Sequence, residues 1–164
     1  MKILKPDLVI NSLSEINLAN YKKLAMRGII IDLDNTIVPW NLDCITAEAD
    51  LFLREALSLE YKICLLSNAR RKRTENIARQ YDIYYVSSAF KPRKKAFQRA
   101  LQLIGHSADQ VLVIGDQVFT DVLGGNRAGC YTILAPALSK KEFVGTKVFR
   151  FFEWLLKAGP TYRK

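Results

Sequence analysis

The sequence predicts an α/β fold: a capless, three-layer αβα, Rossmann-like parallel sheet with helices on both faces. Two observations predict this architecture. Short apolar runs rich in β-branched residues recur along the 164-residue chain, as expected of strands buried on both faces of a parallel sheet. Segments with helical periodicity lie between these runs, and such alternation is typical of βαβ units.

The individual elements follow from these patterns. Strands are predicted at residues 28–33, 62–66, 83–86, 111–114 and 131–134. Helices are predicted at residues 46–58, 70–80, 93–104 and 119–128. Thr46 is expected to begin the first helix, and Gly105 and Gly129 are expected to end the last two, because glycine readily adopts the left-handed conformation that follows a helix.

The chain is predicted to form a single domain, residues 1–164. It comprises an N-terminal extension (1–27), a core (28–135) and a C-terminal helical tail (139–164). The extension should contain a short helix whose position stays open. Residues 147–157 of the tail are aromatic with basic ends, which fits either a helix packed on the sheet or an interfacial anchor to anionic lipid.

Composition narrows the class of protein. The absence of a long apolar run and of a secretory signal predicts a cytoplasmic protein, with a peripheral membrane location as an alternative. Cys44, Cys64 and Cys130 fit neither a disulfide framework nor a zinc site, and His106 is the only histidine. The net charge of +9 favours phosphorylated or polyanionic partners, and nucleic acid is not ruled out.

Polar residues follow the predicted strands in chain order. They are Asp32 and Asp34, then Ser67 and Asn68, then Lys91, and finally Asp116 and Asp121. In an open parallel sheet, ligands bind outside the carboxyl ends of the strands, so these side chains should converge at one edge.

A cluster of four acids is costly unless a cation neutralises it, and oxygen ligands select a hard cation such as Mg²⁺. A carboxylate beside Mg²⁺ can attack phosphorus, and a second can act as general acid and base. Ser67 and Lys91 provide a hydroxyl and a cation for the transferring oxygens.

The order of these residues resembles the haloacid dehalogenase (HAD) superfamily. Its first motif, DxDxT, is matched by Asp32-Leu33-Asp34-Asn35-Thr36, and its second by Leu65-Leu66-Ser67-Asn68. Its third motif is matched by Lys91-Pro92, and its fourth by Gly115-Asp116-Gln117 with Thr120-Asp121. Details of the first, second and fourth motifs resemble subclass IIIA, the YqeG-like phosphatases, which are similar to the mitochondrial phosphatidylglycerophosphate phosphatases.

This resemblance implies a role for each residue. Asp32 would be the nucleophile and Asp34 the general acid/base, whereas Ser67, Asn68 and Lys91 would bind phosphate. Mg²⁺ would bind Asp32, the backbone carbonyl of Asp34, and Asp116, with Asp121 completing the site directly or through water. An acid at position 34 favours phosphohydrolases over true dehalogenases.

The segments between Asp34 and Tyr61 and between Asn68 and Lys91 are too short for a cap domain. An uncapped site suits a phosphate on a large carrier. The sequence therefore predicts a Mg²⁺-dependent phosphomonoester hydrolase that forms an aspartyl-phosphate on a bulky or membrane-presented substrate such as phosphatidylglycerophosphate. The alternative is a basic, RNA- or ribosome-associated binding protein on the same fold. The basic run at residues 70–73 fits either attraction of an anionic substrate or a solvated helix face.

Overall fold

A computed structural model describes residues 2–40 and 42–139. They contain a six-stranded, wholly parallel sheet with strand order β1-β6-β5-β2-β3-β4. The strands are β1 Leu8–Val9, β2 Gly28–Ile31, β3 Lys62–Leu66, β4 Tyr84–Val86, β5 Val111–Gly115 and β6 Tyr131–Leu134. Every residue of the central strands β2 and β5 is buried, which explains their uninterrupted apolar sequences.

Helices cover both faces of this sheet. They are α1 Leu18–Lys23, α2 Ala47–Ser58, α3 Arg71–Gln80, α4 Lys94–Ile104 and α5 Leu123–Ala128. Short 3₁₀ helices span Lys2–Leu4, Leu13–Glu15 and Ala108–Gln110, and a π-helical turn, Val118–Val122, leads into α5. The predicted three-layer αβα architecture is confirmed.

The helix boundaries agree with the capping signals in the sequence. The side chain of Thr46 accepts a hydrogen bond from the backbone N–H of Ala49 at the start of α2. Gly105 and Gly129 end α4 and α5 with φ angles of 76° and 84°. The predicted helix 119–128 is a π-helical turn followed by a shorter α-helix.

Two apolar layers hold the helices on the sheet. Leu53 of α2 and Ile77 of α3 pack with Ile29 and Ile31 on one face. Phe97 of α4 packs with Ile30 and other residues on the opposite face. Cys64 and Cys130 lie in this second layer, and burial raises the pKa of both thiols to about 12, so they behave as small apolar side chains.

The N-terminal extension adds an outermost strand to the sheet, beside β6. Leu8 and Val9 pair with Ile133 and Leu134 of β6. The hydroxyl of the buried Tyr61 donates a hydrogen bond to the carbonyl of Leu18, at 2.9 Å, and so fixes the start of α1 on the core. The expected short helix is therefore present, together with an edge strand.

The proposed tail helix at 147–157 lies outside the described residues. No helix in residues 2–40 and 42–139 is long and apolar enough to cross a membrane.

The strand register aligns the carboxyl ends of the central strands. Ile31 pairs with Leu65 on one side and with Ile114 on the other. The chain then leaves β2 at Asp32, whose N–H donates to the carbonyl of Ile114 at 2.9 Å. The residues that follow β2, β3 and β5 consequently meet at one edge of the sheet, the edge formed by the carboxyl ends of its strands.

Candidate active site

Three buried acids lie together at this edge. Carboxylate oxygens of Asp32, Asp116 and Asp121 all lie within 4.8 Å of one another. Asp32 follows β2, Asp116 follows β5, and Asp121 lies in the π-helical turn after β5. Such a donor set of buried oxygens fits a hard divalent cation.

Lys91 lies between two of these acids. Its Nζ donates to Oδ1 of Asp32 and, at 2.6 Å, to Oδ1 of Asp121. The lysine is only 8% exposed, and it is held by a hydrogen bond of 2.9 Å from its backbone N–H to Oδ1 of Asn68. Asn68 thus orients the loop that carries Lys91.

Burial dominates the electrostatics of the site. It raises the pKa of Asp32 well above its ordinary value, and the Asp121 and Asp116 carboxylates raise it further against the opposing effect of Lys91. Burial also disfavours the charged form of Lys91, but the carboxylates of Asp121 and Asp32 outweigh it and raise the pKa of this lysine. A bound cation would favour the charged form of the acids.

Asp34 and Ser67 face each other beside the acids. The Ser67 hydroxyl donates to Oδ2 of Asp34 at 3.3 Å and accepts from the N–H of Ala69 at 2.9 Å. Asp34 is more exposed than Asp32, with a side chain 19% accessible, so it can reach a ligand in the cleft.

The loop after β2 supplies two further groups. Thr36 donates from Oγ1 to Oδ2 of Asp32 at 3.1 Å, which fixes the carboxylate plane. Asn35 has a φ of 68° and donates from Nδ2 to Oδ2 of Asp116 at 3.2 Å. Asparagine tolerates this left-handed conformation better than most residues, so it suits this tight turn.

Gly115 is required by the position of Asp121. A Cβ atom at residue 115 would lie 2.2 Å from Cγ of Asp121. The absence of a side chain at the end of β5 therefore lets the acid approach the strand.

The site opens into a cleft of about 820 Å³. One part of its lining is apolar and contains Trp40, Phe119 and Leu123, and another contains Arg70 and Arg73. Asp32, Asp34 and Lys91 line the same cleft. All seven residues predicted from the sequence are therefore brought to this edge of the sheet.

The sequence indicated Arg73 only as part of the basic run 70–73 and Asn35 only as part of the first motif, with no separate role for either, and it did not predict the apolar walls. Arg73 forms an ion pair with Asp34 at 2.9 Å and donates to the carbonyl of Leu42 at 2.7 Å. Helical spacing is the one signal for it, because Arg73 lies one turn before the buried Ile77. Trp40 and Phe119 had no comparable signal, since aromatic residues are common in cores.

Comparisons with known proteins agree with this geometry. A family profile described as HAD-hydrolase-like matches residues 89–137. The chain is 35% identical over 144 residues to "Probable phosphatase YqeG" of Bacillus subtilis (strain 168), which covers 87% of this chain and 84% of that protein.

A second relative is "Phosphatidylglycerophosphate phosphatase 1, chloroplastic/mitochondrial" of Arabidopsis thaliana. It is 23% identical over 163 residues, which covers 93% of this chain and 47% of the plant protein. The chain thus spans about half the length of this relative.

Solved structures share the fold. A HAD phosphatase from Thermococcus onnurineus superposes with a TM-score of 0.61 at 11% identity, covering 73% of this chain and 90% of that one. The cobalt-bound deoxy-D-mannose-octulosonate 8-phosphate phosphatase from Haemophilus influenzae gives a TM-score of 0.56 at 16% identity, covering 68% of each chain.

Proposed function

This chain belongs to the HAD superfamily as a YqeG-like phosphatase, and from that we propose that it hydrolyses a lipid-borne phosphomonoester with Mg²⁺ through an aspartyl-phosphate on Asp32. The proposal depends mainly on one observation: Asp32, Asp116 and Asp121 form a buried acid cluster with Lys91 between two of its members. The relatives named above are described as a probable phosphatase and as a phosphatidylglycerophosphate phosphatase, which favours an enzyme over an RNA-associated binding protein.

The residues present fit the proposed cation. Asp32, Asp116 and Asp121 would hold Mg²⁺, together with the backbone carbonyl of Asp34. When bound, the ion would neutralise the acids and the developing charge on the phosphoryl oxygens.

Asp32 is the proposed nucleophile. Its carboxylate oxygen forms a bond to phosphorus while the bond from phosphorus to the substrate oxygen breaks. Thr36 orients this carboxylate through its hydrogen bond of 3.1 Å. Ser67 and Lys91 are proposed to bind the phosphoryl oxygens, with Asn68 holding the Lys91 backbone.

Asp34 is the proposed general acid and base. It gives its proton to the departing alcohol oxygen in the first step. In the second step its carboxylate takes a proton from water, whose oxygen attacks phosphorus and releases the Asp32 carboxylate with inorganic phosphate. Both proton transfers need a group that faces solvent, and Asp34 is the more exposed of the two acids.

The cleft supports phosphatidylglycerophosphate as the substrate. That lipid has a terminal phosphomonoester, a phosphodiester one glycerol unit away, and an apolar diacyl part. The exposed Arg70 can pair with the phosphodiester, and Trp40, Phe119 and Leu123 can pack against the apolar portion. The plant relative named for this activity gives the same indication.

Hydrolysis of a soluble aryl phosphate tests the chemistry. We expect turnover that requires Mg²⁺ and falls by at least about a thousandfold in Asp32→Asn. Asp109→Asn is the matched control, because Asp109 is exposed in the 3₁₀ helix before β5, at the opposite edge of the sheet. Turnover that survives in Asp32→Asn would exclude the proposed nucleophile.

Substrate choice is tested separately. Phosphatidylglycerophosphate, phosphopeptides, sugar phosphates and nucleotides are compared at equal concentration by phosphate release. We expect the lipid to give the highest kcat/KM, and equal or lower turnover of the lipid than of sugar phosphates would reject it.

A further inference from the structure

Two helices begin with cationic turns at the edge where the cleft opens. Arg71, Lys72 and Arg73 form the first turn of α3, and Lys94 and Lys95 begin α4. Neither first turn contains an acid. A helix N-terminus has partial positive charge, so cations there oppose helix stability and acids would favour it. Helix formation therefore does not explain this arrangement.

Backbone contacts bring the two helix starts together. Ser88 and Ala89 donate from their N–H groups to the carbonyls of Ala69 and Ser67, each at 3.0 Å. The loops that precede α3 and α4 are thus joined across the carboxyl end of β3 and β4. The cations of these loops and first turns that are exposed to solvent form what we call the basic rim: Arg70, Arg71, Lys72, Arg93, Lys94 and Lys95.

Little of this charge is neutralised by the protein. Arg71 pairs with Glu75 at 3.3 Å. The ion pairs found within residues 2–40 and 42–139 include none of Lys72, Lys94 and Lys95. The basic rim consequently presents net positive charge beside the cleft.

Large apolar side chains are exposed at the same edge. Phe90, Leu42 and Leu138 are 64%, 49% and 36% exposed. Phe90 precedes Lys91 in a left-handed conformation with φ of 52°, and the guanidinium of Arg93 lies 5.2 Å from its ring centroid.

The two leucines are tied to the site by their backbones. The carbonyl of Leu42 accepts from Arg73 at 2.7 Å, and the N–H of Leu138 donates to the carbonyl of Asn35 at 2.9 Å. These contacts place the backbones of both leucines beside residues of the site, Arg73 and Asn35.

We propose that the basic rim, with Phe90, Leu42 and Leu138, is a docking surface for an anionic lipid bilayer. Each cation near such a surface strengthens binding about fivefold, and Phe and Leu side chains bury at the boundary between the headgroups and the acyl chains. A nucleic acid would also attract the cations and could stack one base on Phe90, but Leu42 and Leu138, the other two exposed apolar residues of the surface, offer no π face. The combination therefore fits lipid better than a polynucleotide.

This docking would turn the open cleft toward the membrane. The docking proposal rests on the proposed function only in that a lipid-borne substrate explains why the cleft should face the membrane. Binding to vesicles itself needs no turnover. Asp32→Asn should therefore bind vesicles as the unmodified chain does. Vesicle binding without hydrolysis would reject the proposed function alone, and hydrolysis without vesicle binding would reject the docking surface alone.

Sedimentation with vesicles tests the charge. The full chain is mixed with vesicles of phosphatidylcholine alone, or of phosphatidylcholine with about one-third phosphatidylglycerol. The anionic headgroups of phosphatidylglycerol attract basic residues. The rim variant is Lys72→Glu/Lys94→Glu/Lys95→Glu. The control is Lys23→Glu/Lys62→Glu/Arg127→Glu, which makes the same change in charge on exposed residues at the opposite edge of the sheet.

We expect the rim variant to bind anionic vesicles at least about tenfold more weakly than the control. The new acids complement the helix N-termini, so the variant should fold, which thermal melting checks. It should also turn over a soluble aryl phosphate at the normal rate. The proposal would be overturned by equal binding of the rim and control variants, or by equal binding of the unmodified chain to vesicles with and without phosphatidylglycerol.

The apolar contribution has its own variant. Phe90→Asn keeps a residue that tolerates positive φ while removing the ring. We expect it to weaken vesicle binding severalfold at high salt, where charge is screened. Unchanged binding of this variant at high salt would show that Phe90 does not contribute to the docking surface. Displacement of the chain from vesicles by single-stranded RNA at equal phosphate concentration would assign the surface to nucleic acid instead.

Discussion

Nη2 of Arg73 lies 2.9 Å from Oδ1 of Asp34, so a residue of α3 orients an acid that follows β2. The same guanidinium donates to the carbonyl of Leu42 at 2.7 Å. Arg73 thereby joins the loop after the first motif to the helix after the second. Because the Arg73 side chain is 26% exposed, the pair is partly shielded from water.

Arg73→Ala should lower kcat for an aryl phosphate by about tenfold or more, as loss of a group that orients an active-site ligand often does. Arg73→Lys should recover part of the rate, since it keeps charge without the planar fork. Arg79→Ala is the matched control on the same helix, where Arg79 pairs with Glu75 on the surface. Equal rates for Arg73→Ala and Arg79→Ala would show that Asp34 needs no such support.

The pH dependence of stability tests the burial of Asp32. Its pKa lies well above the ordinary value of 3.8 because of burial and the neighbouring acids. Above pH 3.8 the folded state then retains a proton that the unfolded state has lost. The metal-free protein should therefore lose stability as pH rises from 3.8 through the raised pKa.

Asp32→Asn cannot titrate, so it should lose less stability over the same interval. Urea unfolding in EDTA from about pH 4 to pH 8 measures this difference, because the loss begins near the ordinary pKa of the carboxyl group. Adding Mg²⁺ should stabilise the unmodified protein more than the variant. Parallel stability curves for the two proteins would contradict the raised pKa.

Sequence predicted the central fold because local pattern and burial agree there. Val111–Gly115 is buried throughout, so its apolar run could form only an interior strand or helix, and its length favoured a strand. Leu8–Val9 could not be predicted in this way. Two residues have no periodicity, and their pairing with β6 depends on contacts far apart in the chain.

The site residues also differ in whether local sequence or tertiary packing determines their positions. Asp32, Ser67, Lys91 and Asp116 were predictable because each follows a strand whose end is fixed by the sheet. Asn68 was expected to bind phosphate, and the structure also places its Oδ1 on the backbone N–H of Lys91. Sequence could not distinguish Arg73 from the other cations of the run 70–73, because only the packing of α3 brings Arg73 to Asp34.

Gly115→Ala should weaken cation binding. The new Cβ would lie 2.2 Å from Cγ of Asp121, so the acid must move from its contacts with Lys91 and with the N–H of Gln117. We expect the Mg²⁺ concentration for half-maximal activity to rise by about 10- to 100-fold.

Gly28→Ala is the control for the clash itself. Its Cβ would lie 2.7 Å from Cγ2 of Ile104 and 2.9 Å from Cγ2 of Val111, away from the acids. That variant should lose stability while its Mg²⁺ dependence stays unchanged. A shared shift in Mg²⁺ dependence would mean that packing, and not the position of Asp121, limits cation binding.

Asn35 links Asp116 to the end of the described chain. Its Nδ2 donates to Asp116 at 3.2 Å, while its Oδ1 accepts from the N–H and hydroxyl of Ser139 at 2.8 and 2.9 Å. These contacts fix the amide orientation, so the donor always faces the acid. The φ of 68° adds a backbone requirement that only a few residues meet without strain.

Asn35→Gly separates these two roles, because glycine accepts the left-handed backbone but lacks the amide. We expect the Mg²⁺ concentration for half-maximal activity to rise about tenfold in Asn35→Gly, since Asp116 loses an orienting donor. Asn35→Ala should show the same rise and an added loss of stability from backbone strain. Ser139→Ala, which keeps the N–H donor to Oδ1, should stay within about twofold of the unmodified chain. If Asn35→Gly and Ser139→Ala respond alike to Mg²⁺ titration, the amide does not orient Asp116.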